Sequence, residues 1–369
     1  MLCRILSHLE FLVGCDTQNP PRTLSASHPI ICYCADLLKS CGCTIVIKDY
    51  GEGCINLLAT RGKSRTIVNC HLDTVPADPT WILDPFSLVV QDDRAIGLGA
   101  CDIKGAAASI LTAAQETQGP LAILLTTDEE AGRSRCVRTF LSASIPYDHA
   151  VVAEPTSVCA VTEHRGLATF KLVFHGTPAH SSIANSKGQS AVHIATDWCA
   201  QALALTRSSP FDDICFNIGM VNGGTKPNVI ASSATVVFGM RPPPGMDFDQ
   251  PIRALKSLIN ESIDYTWTPR FSAPSLESAA GVENLITQYG LASGGAVDFW
   301  TEASLFNEAG IATIVLGPGS IDQAHTADEF VPLADLEKSC SVYSRIFSET
   351  SSSMYSNHSP AMTKGIHLQ

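Results

Sequence analysis

Between residues 44 and 154 short apolar strands alternate with helical or loop segments, and this alternation restricts the possible folds more than any other feature of the chain. Strands are expected at Thr44–Lys48, Ile55–Ala59, Thr66–Cys70, Leu121–Thr127 and His149–Ala153, and helices at Ile103–Thr117 and Arg135–Ser144. The pattern implies an α/β fold, a mostly parallel sheet flanked by helices that gathers ligands at the carboxyl ends of its strands. Polar residues cluster at those ends: His71 and Asp73 after one strand, Asp128 to Glu130 after another, Glu154 after a third. Three adjacent carboxylates at the end of a core strand repel one another unless solvent or a bound cation offsets their charge.

At 369 residues the chain is long for one domain, and its organisation changes near residue 165. Leu167–Phe174 and Ala234–Met240 are patterned as half-buried strands, Ser190–Leu205 and Ile252–Ile263 as amphipathic helices. We expect 165–275 to be an α+β module with little core of its own, inserted into a domain formed by 1–164 and 276–348. The first pattern returns with a helix near Glu302–Ala309, the strand Ile311–Leu316 and a helix Leu333–Phe347. The polar, Ser-rich 349–369 is expected to be a disordered tail.

A formal net charge of -12 argues against nucleic acid or an anionic membrane as partner. No apolar run is long enough to span a bilayer, and the apolar residues of MLCRILSHLEFLVGC recur at helical spacing, as in an amphipathic helix rather than a signal peptide. Cysteines such as Cys70, Cys101, Cys159 and Cys199 lie in apolar segments, as buried thiols of a cytoplasmic protein do. The Cys32/Cys34 and Cys41/Cys43 pairs lack the spacing of a zinc knuckle.

On an extended segment His71 and Asp73 point to the same side. One can bind a metal while the other fixes the ring, although a structural pair has the same spacing. The segment GLGACDIKG carries Asp102 where a dinucleotide fingerprint needs glycine, which excludes an oxidoreductase reading. Asp102 could serve as a plain helix N-cap. Glu129 and Glu130 can divide labour, one on a metal and its neighbour accepting a proton from water. His325 lies in a polar loop near the C-terminus. Two histidines and three carboxylates suit two zinc-like ions that share one carboxylate.

In this order and at suitable intervals, HLDTVP, GLGACDIKG, TTDEEAG, AEPT, GTPAHSS and QAHTADEF resemble the motifs of the co-catalytic zinc aminoacylase/carboxypeptidase family, the acetylornithine deacetylase and succinyl-diaminopimelate desuccinylase type. The resemblance implies that His71 and Glu154 bind one metal, that Glu130 and His325 bind the other, and that Asp102 bridges them. It makes Glu129 the general base, Asp73 the support of His71 and His180 an oxyanion donor. Asp128 is left as structural. Arg241 and Asn228 match positions that anchor a substrate carboxylate, with Arg165 as a further candidate, and Glu302 could face substrate or merely begin a helix.

The inserted module becomes a lid or dimerisation domain, so a homodimer is expected. One or two Zn2+ or Co2+ ions per subunit are implied as cofactors. The segment GAVDFWTEASLF resembles a branch acting on N-acetyl-L-citrulline in arginine biosynthesis. Hydrolysis of the acetamide bond of that N-acetyl amino acid is therefore the expected activity. N-acetyl-L-ornithine, or another N-acyl amino acid or dipeptide, is the alternative substrate. A non-catalytic metal or ligand sensor would have no use for Glu129.

Overall fold

The computed structural model describes residues 1–21, 24–132, 134–183 and 188–348. Strands in the order Thr44–Asp49, Ile55–Arg61, Leu121–Thr126, Thr66–His71, His149–Val152, Ala312–Val315, Cys159–His164 and Ala292–Val297 form an eight-stranded sheet. The central neighbours Leu121–Thr126, Thr66–His71, His149–Val152 and Ala312–Val315 are parallel. Thr44–Asp49, Ile55–Arg61 and Leu121–Thr126 pair antiparallel. Thr66–His71 and Leu121–Thr126 are buried at every position, as a strand covered on both faces must be.

Helices Leu2–Val13, Lys104–Glu116 and Leu333–Ile346 belong to the main core, and Ala106, Ile110 and Leu111 are wholly buried in it. In the first helix Ile5, Leu9, Leu12 and Val13 face that core. Among the described residues no helix is long and apolar enough to cross a membrane.

A second, antiparallel sheet orders Cys215–Gly223, Ser233–Arg241, Leu167–His175 and Tyr265–Ala273. Helices Ala191–Leu205 and Asp249–Ser257 supply buried residues to its core. Contrary to expectation, this domain has a substantial core of its own. Trp198, Phe238 and Trp267 pack ring against ring at centroid distances of 5.1 to 6.4 Å, with Phe170 against Phe238 at 5.3 Å.

The expected helix 252–263 is displaced to Asp249–Ser257. Beyond it the Asn260 side chain accepts hydrogen bonds from Ser262 N and Oγ, a local turn that competes with further helix. The two domains adjoin where His164 and Leu276 exchange backbone hydrogen bonds at 3.2 and 3.0 Å. Cys70 and Cys101 are buried, whereas Cys159 and Cys199 are only half-buried. The tail beyond 348 lies outside the described residues.

Candidate metal centre

The carboxyl ends of the parallel strands carry the site. His71 ends the strand Thr66–His71, and Glu154 follows His149–Val152. Asp102 precedes the helix Lys104–Glu116 without capping it, since the N-cap is Ile103 and no side chain caps that end. The two carboxylate oxygens of Asp102 instead diverge. Oδ1 lies 3.2 Å from Nε2 of His71, and Oδ2 lies 3.3 Å from Nε2 of His325. Glu154 approaches His71 to 3.8 Å, and Glu130 approaches His325 to 3.1 Å. Ligating atoms therefore converge in two groups, His71–Asp102–Glu154 and Asp102–Glu130–His325, joined through one carboxylate.

The electrostatics ask for cations. Burial alone would keep His71 neutral, yet its hydrogen bonds to Asp102 and Asp73 draw its pKa well above the ordinary value. Asp102 and Glu130 push His325 up to about 11. Asp102 itself, despite burial, is held below the usual carboxylate range by the two histidines. Each histidine is drawn toward a proton because carboxylates outnumber positive charges, and a divalent ion between these nitrogen and oxygen donors would take the protons' place. The residues fit a pair of ions of the zinc type.

Asp73 does more than brace a ring. Nδ1 of His71 donates to the Asp73 backbone carbonyl at 2.9 Å, with the Asp73 carboxylate at 3.5 Å. Oδ2 of that carboxylate accepts the Glu130 backbone N–H at 3.1 Å and Asn19 Nδ2 at 3.2 Å. Asp73 thus ties the His71 strand to the acidic turn. Asp128 accepts the backbone N–H groups of Arg135 and Cys136, satisfying donors in the first turn of the helix Arg135–Leu141. Glu129 is half-buried, and burial, followed by the neighbouring Glu130, raises its pKa well above the carboxylate range.

The sequence reading overlooked Glu329. Its buried carboxylate accepts the N–H groups of Gly99 at 2.9 Å and of Cys101 and Asp102 at 2.8 Å, fixing the loop that presents Asp102. An acid four residues beyond His325 was the only available hint. Glu302 is buried beside the site rather than simply opening a helix. Burial and then Asp128 raise its pKa to about 8, and its Oε1 finds no hydrogen-bond partner among the described residues.

The remaining candidates lie on or near the second domain. Arg241 is half-buried, with Nη1 buried and unpaired among the described residues. Arg165 is already engaged: Nε meets Asp298 at 2.7 Å while Nη2 meets Asp213 at 2.8 Å. Its guanidinium bridges the two domains rather than standing open to a ligand. His180 is exposed, its Nδ1 2.8 Å from Ser182 Oγ, and its contacts include none of the metal-ligand candidates. Asn228 is also exposed, and its backbone carbonyl accepts Ser181 N–H.

This fold and paired donor set define a class, and the chain belongs to it: residues 67–349, more than half of its length, match peptidase family M20/M25/M40. It is 41% identical to the N-acetyl-L-citrulline deacetylase of Xanthomonas campestris pv. campestris, covering 94% of this chain and 98% of that protein. It is 31% identical to the acetylornithine deacetylase of Proteus mirabilis, covering 86% and 88% respectively. A tripeptidase from Staphylococcus aureus shares the fold, with a TM-score of 0.75 at 19% identity over 94% of this chain and 98% of that one.

Proposed function

We propose that this protein is a metal-dependent amidohydrolase that removes acetyl from N-acetyl-L-citrulline, giving L-citrulline and acetate in arginine biosynthesis in the cytoplasm. The observation that carries the chemistry is the division of Asp102 between His71 and His325 with Glu129 close by. The substrate follows from the 41% identity to a deacetylase of that name, against 31% to an acetylornithine deacetylase.

In this reading His71 and Glu154 would hold one zinc or cobalt ion, Glu130 and His325 would hold the other, and Asp102 would serve both. Bound there, such ions supply Lewis acidity to the attacking water and to the amide carbonyl. Glu129 accepts the proton of the water as it attacks the carbonyl carbon and passes that proton to the departing amine nitrogen. Asp73 holds the His71 ring and the Glu130 backbone in register.

The unpaired Arg241 nitrogen, with Asn228, anchors the α-carboxylate, for which a guanidinium fork is well shaped. His180 lies in the inserted domain and donates to the oxyanion on closure, from its own chain or from a second copy. The strand Cys215–Gly223 lies at the edge of the small sheet with Met220 and Val221 exposed, and it offers the pairing surface for such a dimer.

The deciding experiment assays N-acetyl-L-citrulline, N-acetyl-L-ornithine and free dipeptides side by side, before and after chelation and metal return. Chelation should abolish acetylcitrulline hydrolysis, and zinc or cobalt should restore it. Turnover of dipeptides alone would overturn the reading.

A further inference from the structure

Among the described residues, only one face of the small antiparallel sheet packs into a core. Ala168, Phe170, Phe238 and Met240 point into its core, so the alternate residues Thr169, Val237, Gly239 and Arg241 face the other way. That open face carries a groove of about 460 Å³ lined by these residues together with Asn217 and Arg270. Its volume falls in the range of small-molecule sites, roughly 300–1,000 Å³.

Arg270 reaches the groove through an irregularity in the sheet. Pro269 pairs with Phe170 and Phe271 with Thr169, leaving Arg270 as an extra, unpaired residue between them. Such a bulge re-aims a side chain. Arg270 is exposed, and no hydrogen bond or ion pair engages it among the described residues. It also lines an adjoining groove of about 640 Å³, which includes Lys171 from the same face. Three cationic side chains, Arg241, Arg270 and Lys171, therefore share one open face of a chain whose net charge is -12.

N-acetylcitrulline and N-acetylornithine are identical up to the terminal nitrogen of the side chain. Beyond it citrulline carries a neutral carboxamide, whose oxygen accepts hydrogen bonds, whereas ornithine ends in an ammonium. Arg241 and Arg270 line the same groove, so a substrate whose α-carboxylate met Arg241 would have Arg270 in the cavity open to its side chain. A guanidinium can donate to the ureido oxygen but can offer an ammonium nothing except repulsion.

We infer that Arg270 is the specificity-determining residue, accepting a ureido side chain and refusing an ammonium. The inference rests on the deacetylase reading above and adds to it the means of discrimination.

The test compares wild type, Arg270→Ala and Arg270→Glu on N-acetyl-L-citrulline, N-acetyl-L-ornithine and N-acetyl-L-norleucine, whose side chain is neutral and apolar. The citrulline-to-ornithine ratio of kcat/KM should fall about tenfold in Arg270→Ala and about a hundredfold in Arg270→Glu, the sizes expected for losing and then reversing one exposed charge-assisted contact. Norleucine turnover should not move, which also shows that the variants are folded. If all three substrates shift together, or the ratio stays fixed, Arg270 is not the determinant although the deacetylase reading stands. Wild-type protein that hydrolyses none of the three removes that reading and this inference with it.

Discussion

Asp102 donates its backbone N–H to the carboxylate of Glu329 at 2.8 Å, although 227 positions separate them in the chain. The loop that carries His325 thus also fixes Asp102, whose two carboxylate oxygens face His71 and His325. Glu329→Ala strands three N–H donors, and each such loss costs roughly 1–3 kcal/mol when the group stays dry. Metal affinity should fall by about 10- to 100-fold, the usual effect of removing a group that orients a ligand. Calorimetric titration of the chelated protein with zinc checks this, and wild-type affinity in the variant would count against the role given to Glu329.

Glu129→Gln should keep its metal and lose activity. The amide is nearly isosteric but cannot accept a proton, and general-base catalysis is worth roughly two to four orders of magnitude. Elemental analysis together with kcat on N-acetyl-L-citrulline separates the two effects. Near-normal turnover would remove Glu129 from its assigned part.

Because each oxygen of Asp102 faces a different histidine, substitutions there should grade. Asp102→Asn keeps one oxygen and should weaken one ion more than the other, while Asp102→Ala should empty both positions. Metal content measured after gel filtration gives the order. Full occupancy in Asp102→Ala would favour a site with a single ion on His71 and Glu154.

His164 makes a pH prediction at the junction of the domains. Its Nδ1–H donates to the Arg165 carbonyl at 2.8 Å, and its Nε2 accepts from Thr301 Oγ1 at 3.0 Å. Burial above all, with the charge of Arg241, lowers its pKa from 6.5 to about 4. The folded state therefore binds fewer protons than the unfolded state between these values, so stability rises with pH across the window and is lost as pH falls from about 6.5 to 4. The contribution is on the order of 3 kcal/mol at most. Urea unfolding of wild type and His164→Gln at pH 4.5 and 6.5 should show the smaller pH dependence in the variant, whatever its absolute stability. Equal slopes would mean that His164 does not titrate in this range.

Arg165 and Arg241 should separate cleanly. Arg165→Met breaks a tie between Asp213 and Asp298 and should speed proteolysis of the inserted domain while affecting all substrates alike. Arg241→Ala should raise KM for substrates bearing an α-carboxylate and spare amides that lack it. Substrate-selective losses in Arg165→Met would return that residue to the binding site.

The candidate metal-ligand cluster was legible because its residues sit where a parallel sheet ends. His71, Glu130 and Glu154 each follow an apolar run, and that coincidence is visible without coordinates. Glu329 was not legible, because an acid in a polar loop shows no periodicity. Its burial arises only when the loop folds over Gly99 to Asp102. Strands Cys215–Gly223 and Tyr265–Ala273 escaped notice because almost every residue in them is half-buried or exposed, which leaves little hydrophobic alternation to read. Ala292–Val297 is built from small residues with two adjacent glycines and looks like a loop. The helix Pro29–Ser40 has proline at its first position, but its N-cap is His28 instead of Ser, Thr, Asp or Asn, and the His28 side chain accepts from Ile30 N–H.

The exchange of backbone hydrogen bonds between His164 and Leu276 brings the entry and exit of the inserted domain to neighbouring points. A module attached in this way carries its own sheet and core without entering the strand order of the parent sheet. The inserted domain can therefore change without disturbing His71, Asp102, Glu130, Glu154 and His325, which all lie outside it. In the proposed reading, substrate choice and bond cleavage belong to separately folded parts of one chain.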